Sequence, residues 1–161
     1  MDYYALRIAN ELLRFADKKG ANVTQLRLMK LVYICHGYIL ALLDKNTNTY
    51  NVEDVEAWDY GPVFPSVYLE FRKYKDKPVL HKAMREGEEV YFDKSHSDER
   101  LICEMVWNKW GSLTVHSLVE QVHEEGSPWS QYYIKGMNVV IPDFDTKLFY
   151  QILVKYQTEK K

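Results

Sequence analysis

The side chains best suited to metal chemistry are His116, Glu120 and His123, which follow one another at intervals of four and three residues. On a helix this spacing puts two imidazoles and a carboxylate on one face, and Zn²⁺ accepts both kinds of ligand. Three ligands on consecutive turns nevertheless spread over about 10 Å of helix axis, so they cannot all reach one ion. The sequence also lacks the H-E-x-x-H pattern. We therefore predict no metal site and no cofactor.

A nucleophilic thiol is the second chemistry to consider, with Cys35 paired to His36, His116 or His123. Neighbouring residues on a helix point about 100° apart, so Cys35 and His36 cannot share a proton. A reactive cysteine also needs an electropositive, partly exposed environment, whereas Cys35 lies in the apolar run 31–43. Glycine-rich phosphate loops and the G-x-S-x-G serine motif do not occur. The residues predict no catalytic site and no enzyme; the alternative is an enzyme with a hidden site using His116, His123 and nearby carboxylates.

Nucleic-acid binding is disfavoured by both charge and pattern. The chain carries 21 basic and 23 acidic residues, a net charge of −2, without the basic excess that DNA-coating proteins usually show. A helix-turn-helix around Gly20 would leave only Gln25, Arg27 and Lys30 to face a groove, because the second helix becomes apolar after Lys30. We expect no nucleic-acid partner.

The elements that must position any site are mostly helices. Apolar spacing and capping residues predict a mainly α, single compact domain over 1–161, with five or six helices and a minor element of short strands. The second helix is apolar on almost every face in its later half, so it should run through the centre. The predicted helices are one from an Asp2 cap to Gly20, then 25–43, a helix with Pro65 in its first turn that continues through 66–74, and further helices at 97–111, 115–125 and 143–157.

The connecting segments contain turn residues and weak strand signals. Residues 44–51 consist of turn-forming types, 55–58 favour a strand, and 77–80 and 89–92 are weaker strand candidates. Gly61, Pro62 and Pro65 predict an irregular chain between Trp58 and Pro65.

Length and composition fit one domain inside the cell. The 161 residues are 47% hydrophobic, which suffices for a core without disulfides or metal. Cys35 and Cys103 are far apart in sequence and no secretion signal precedes them, so we expect a reducing, cytoplasmic location. The longest apolar run, 31–43, is shorter than the roughly 20 residues that span a bilayer, so we expect no membrane contact.

Two segments combine Gly and Pro with large aromatic residues outside the predicted helices, namely 58–65 (WDYGPVFP) and 126–129 (GSPW). Rigid loops bearing Trp and Tyr make economical contact surfaces, because few rotatable bonds are frozen on binding. The alternative is that these rings fill the helical core. The candidate partner-binding residues are Trp58, Asp59, Tyr60, Gly61, Pro62, Val63, Pro65, Tyr68, Ser127, Pro128 and Trp129.

The same residues carry a family resemblance. The blocks ANELLRFA, LRLMKLVYICHGYILAL, EAWDYGPVFPSVYLEFRKY and LVEQVHEEGSPWSQ, in this order over about 5–135, resemble the Panacea domain family, which covers SocA-like antitoxins and phage-associated GepA-type proteins. The most specific parts are W-x-x-G-P-V-x-P-x-x-Y, from Trp58 to Tyr68, and H-x-x-x-S-P-W, from His123 to Trp129.

The resemblance implies a helical antitoxin module that neutralises a protein toxin, encoded by a neighbouring gene, by direct complex formation. It also implies a protease or chaperone as a further contact. A phage-associated interaction protein, or a proteolytic adapter without a cognate toxin, is the alternative function.

Overall fold

A computed structural model of the protein describes residues 1–50 and 52–159, which form a mainly α fold, as predicted. The strands in these residues are short and antiparallel. The α-helices are α1 (Tyr4–Lys18), α2 (Gln25–Leu42), α3 (Thr47–Tyr50), α4 (Pro65–Phe71), α5 (Ser97–Trp110), α6 (Val115–His123), α7 (Pro128–Tyr132) and α8 (Asp143–Glu159). The strands are β1 (Val55–Trp58), β2 (Gly61–Val63), β3 (Met84–Arg85), β4 (Glu88–Glu89) and β5 (Val139–Ile141).

Helix α2 lies at the centre of the fold. Every residue from Leu28 to Leu40 is buried, including the basic side chains Lys30 and His36. Helices α1, α5, α6 and α8 pack around it together with strand β2. The prediction of a central apolar helix is confirmed. The helix reaches the surface at its two ends, where Gln25, Leu26 and Arg27 are half-buried and Leu42 is exposed.

Helix α8 covers the later half of α2 at unusually close range. A Cβ on Gly37 would overlap the ring of Tyr150, so only glycine allows the two helices to approach this closely. The Tyr33 and Thr146 hydroxyl oxygens, one on each helix, are 3.0 Å apart and hydrogen-bonded. The contact therefore combines ring packing with a buried polar link.

The ends of helix α1 show one correct and one wrong prediction. Gly20 has φ +64 and its N–H donates to the Asp17 carbonyl, while the Ala21 N–H donates to Ala16, the pattern of a Schellman motif. Asp2 is not the N-cap: Tyr3 holds that position with φ 61, and no side chain caps the helix. The helix therefore begins at Tyr4.

The main sheet has the order β2-β1-β5, with both pairings antiparallel. Strand β1 is where the sequence predicts it, but the irregular chain expected over 58–65 is wrong, because 61–63 form β2. Pro62 is compatible with β2 because this is an edge strand, where one missing N–H donor costs no ladder bond.

The other short elements differ more from the sequence prediction. A hairpin pairs β3 with β4, and Glu86 and Gly87 in its turn both have positive φ. The strands therefore lie at 84–85 and 88–89 and not at the candidate positions 77–80 and 89–92. Near the first of them the chain makes an isolated bridge between Pro78 and Thr24. Helix α3 occupies part of the predicted turn 44–51, whose last residue lies outside the described residues. Helix α6 ends at His123 rather than at 125.

Candidate functional site

The two aromatic segments singled out in the sequence lie side by side. The Trp129 indole Nε1 donates a hydrogen bond of 2.7 Å to the Trp58 carbonyl. The Tyr133 hydroxyl donates one of 2.6 Å to the Asp59 carboxylate. These two bonds hold the end of β1 against helix α7 and the residue that follows it.

A stack of three rings forms the other side of this junction. Helix α6 ends at His123, and the Ser127 hydroxyl caps α7 by accepting from the Ser130 N–H. The chain thereby turns back so that Trp129 lies flat on His123, with ring centroids 3.8 Å apart and planes 9° apart. Tyr133 stacks on the same indole at 4.5 Å.

Lys30 is the most unusual side chain near this junction. It is 0% exposed, and its ammonium donates a long hydrogen bond of 3.5 Å to the Pro62 carbonyl. It forms no ion pair among the residues that the structure describes. Because burial penalises the charged form, the pKa of Lys30 falls from 10.5 to about 7.

Gly61 allows the β1–β2 turn to close over Lys30. Its φ is +121, which L side chains rarely adopt, and a Cβ there would be 2.9 Å from Lys30 Nζ and 3.2 Å from His123 Nε2. His123 Nε2 is buried and lacks a hydrogen-bond partner in the described chain. Burial, and next the charge of Lys30, lower the pKa of His123. Two basic groups therefore flank one glycine.

A pocket of about 410 Å³ opens beside Lys30, between the first half of α2, the β1–β2 turn and α4. We call it the α2 pocket. Trp58 and Tyr68 form one wall, with an edge-to-face contact at 4.9 Å. Lys30, Thr24, Gln25, Tyr60, Lys75 and Asp76 also border it. Its apolar lining residues are Leu26, Met29, Trp58, Val63, Tyr68 and Val115.

The structure divides the predicted partner-binding residues between core and surface. Gly61, Pro62, Val63, Ser127 and Pro128 are buried, and none of them carries an aromatic ring. Asp59 and Tyr60 are exposed, Tyr60 by 68%, and the remaining members are half-buried. The buried members shape the chain, while Trp58, Tyr60 and Tyr68 present rings toward the α2 pocket.

The histidine triad does not converge on a point. His116 pairs with Glu120 at 3.0 Å on the surface, with side chains 82% and 67% exposed, whereas His123 turns into the ring stack. Within residues 1–50 and 52–159, no group of three or more His, Cys, Asp or Glu side chains is arranged to hold a metal.

Cys35 is fully buried, and within the described part of the chain its neighbour is not a histidine but Cys103, the other free thiol. Burial, and next the proximity of Cys103, raise the pKa of Cys35 well above its usual value, which disfavours the nucleophilic thiolate. The adjacent His36 faces elsewhere, with Nδ1 at 3.0 Å from the Tyr4 hydroxyl and Nε2 at 3.1 Å from Asp143. Sequence reasoning found neither this network nor the burial of Lys30.

The family of this chain is shown by its similarity to known proteins. A family model described as "Antitoxin SocA-like, Panacea domain" matches residues 28–130. The chain is also 30% identical over 130 residues to "Antitoxin SocA" of Caulobacter vibrioides (strain NA1000 / CB15N), covering 78% of this chain and 68% of that relative. No solved structure matches. The protein belongs to the antitoxin SocA-like, Panacea domain family.

The matched span contains both aromatic segments, Lys30 and most of α2. It leaves α1 and α8 outside. No helix within the described residues is long and apolar enough to cross a membrane.

Proposed function

We propose that this protein is an antitoxin that neutralises a protein toxin, encoded by a neighbouring gene, by binding it directly in the cytoplasm. Family membership supports the antitoxin role. The burial of both free cysteines fits a reducing compartment. The proposed functional unit is the whole domain, 1–161, because α1 and α8 both pack on α2.

The α2 pocket, with Tyr60 exposed at its edge, is the main support for the proposed binding site. Interface hot spots are typically large side chains that enter an apolar pocket and are ringed by residues that exclude water. The α2 pocket offers such a recess, walled by Trp58 and Tyr68, and its volume of about 410 Å³ accommodates one or two partner side chains. Neutralisation by this binding site needs direct contact with the toxin and no catalytic step.

Growth rescue tests the antitoxin role. Expression of the neighbouring gene alone should stop growth, co-expression of this chain should restore it, and the two proteins should copurify. A non-toxic neighbour that still copurifies would favour the phage-associated interaction protein, and recovery of a protease in its place would favour the adapter.

A matched pair of surface variants tests the site. Tyr60→Ala removes a ring that is 68% exposed, and Phe144→Ala removes one that is 74% exposed on α8, far along the chain from the pocket. We expect Tyr60→Ala to weaken the complex about thirtyfold, the usual effect of losing 2 kcal/mol at a hot spot, with circular dichroism unchanged. Phe144→Ala should bind as the parent does. Equal loss in both variants, or in neither, would refute this placement.

Rescue should not depend on imidazole chemistry. His116→Gln combined with His123→Gln should leave rescue intact, because one ring is on the surface and the other serves to stack on Trp129. The affinity of the two purified proteins, measured by isothermal titration calorimetry, provides the second readout. A double variant that binds normally but no longer rescues would show that catalysis is required.

A further inference from the structure

The α2 pocket has a polar end whose groups are only partly hydrogen-bonded within the described residues. Thr24 Oγ1 and Gln25 Oε1, at the start of α2, are buried without a hydrogen-bond partner among the described residues. Lys30 follows on the same helix, with a single long bond to the Pro62 carbonyl. All three residues line the pocket. Its chemistry is therefore apolar along the walls and cationic, with hydroxyl and amide groups, along α2.

An unpaired buried ammonium is expensive to keep in a protein interior. Natural proteins compensate such groups with a counter-charge, or replace them with apolar residues of similar volume, which is often neutral or stabilising. Here neither has happened, and the pocket contains no carboxylate beyond Asp76 among its described lining residues. Asp76 is exposed and forms no ion pair with Lys30. None of the described groups supplies a counter-charge, so a carboxylate from a binding partner would both pair with Lys30 and restore the charge that burial disfavours.

We propose that the α2 pocket binds a segment of the partner toxin in which an apolar side chain packs against the wall formed by Trp58 and Tyr68 and an adjacent carboxylate pairs with Lys30. This inference rests on the proposed function and specifies the chemistry of the partner: a bulky apolar residue beside Asp, Glu or the chain terminus. The Lys30 side chain has flexible torsions, so its ammonium swings from Pro62 toward the incoming carboxylate. Pairing then restores the charge that burial disfavours.

A small apolar acid tests the pocket without the toxin. The probe is phenylpropionate, compared with its uncharged amide, which has the same shape. Binding is followed in the full chain by nuclear magnetic resonance shifts of the Trp58 indole N–H and the Met29 methyl group, both of which line the pocket. We expect the acid to bind about tenfold more tightly than the amide, since a charge-assisted bond is considerably stronger than a neutral one.

Two variants identify the cation responsible. In Lys30→Met, the affinities for the acid and the amide should differ by no more than about twofold, because the apolar interaction that both ligands make remains. Lys73→Met, at an exposed position outside the pocket lining, should leave the preference for the acid unchanged. Equal binding of acid and amide to the parent chain, or a preference that survives in Lys30→Met, would overturn the proposal.

Competition with the toxin identifies the source of the carboxylate. The acid should displace the toxin from the complex, and the amide should do so only at about tenfold higher concentration. An acid that binds through Lys30 without displacing a copurifying toxin would show that the pocket serves a small molecule, and the proposal would be wrong. If no toxin binds at all, the proposed function fails, whereas the acid and amide titrations still report on Lys30 independently.

Discussion

Replacing Lys30 with methionine should stabilise the protein and remove a pH dependence. The pKa of the Lys30 ammonium is about 7 in the folded protein against an ordinary 10.5. This difference corresponds to a penalty of about 5 kcal/mol on the charged form. Methionine has a similar length and no charge, but leaves the Pro62 carbonyl without its donor, which costs about 1–3 kcal/mol. We therefore expect Lys30→Met to be more stable than the parent at pH 7 by at least about 1 kcal/mol.

The pH dependence follows from the direction of the shift. Between about pH 7 and pH 10.5 the unfolded chain binds the Lys30 proton more tightly than the folded protein, so stability rises with pH in this window. From pH 7 to about pH 9 the gain from this group is about 2 kcal/mol. Below pH 7 the penalty is fully present. Near pH 9 the buried Cys35, whose pKa is raised, begins to oppose the gain.

Urea unfolding at several pH values, followed by circular dichroism, measures this effect. The difference in unfolding free energy between the parent and Lys30→Met should shrink by about 2 kcal/mol from pH 7 to about pH 9, and subtraction cancels the contributions of other groups. Lys155→Met, at an exposed position on α8, should show no such change. A Lys30→Met protein that is less stable than the parent, with the same pH slope, would refute the assignment of Lys30 as an uncompensated buried cation.

Three further perturbations test the packing. Gly61→Ala should destabilise the fold by more than Gly87→Ala. Both glycines have positive φ, but of these two only Gly61 would place a new Cβ 2.9 Å from Lys30 Nζ. Thermal melts compare the two variants, and equal losses of stability would contradict the close approach. Ile34→Ala should cost about 2–5 kcal/mol, and a melting temperature within a few degrees of the parent would contradict its central place on α2. Cys35 and Cys103 should react with a thiol reagent only after unfolding, and rapid labelling of the native protein would show that they are accessible.

Local signals account for most of the helices. The sequence places the start of a helix correctly where apolar spacing agrees with a local start signal, as with the N-cap Thr114 of α6 and the first-turn Pro65 of α4. Strand β2 depends on two facts that no local pattern contains: its pairing with β1 and its position at the sheet edge. From the sequence, Pro62 therefore predicts a break in regular structure, although in the fold it lies in strand β2.

The candidate site shows the same limit. The aromatic residues of the two loops stand out by composition, but Lys30 does not. Arg27 and Lys30 are three residues apart, a spacing that favours one shared polar face at the start of α2. In the fold Arg27 donates to the Gly111 carbonyl near the surface, while the distant β1–β2 turn closes over Lys30. Only the tertiary structure distinguishes the two cations.

The close contact of Gly37 with Tyr150 makes the folded unit longer than the span that the family model matches. The family match covers 28–130, which begins inside α2 and stops before α8. A recombination or a gene fusion made at those limits would cut the central helix and strip the ring of Tyr150 from the groove that Gly37 opens for it. Transfer of this module between proteins therefore requires that its flanking helices travel with it.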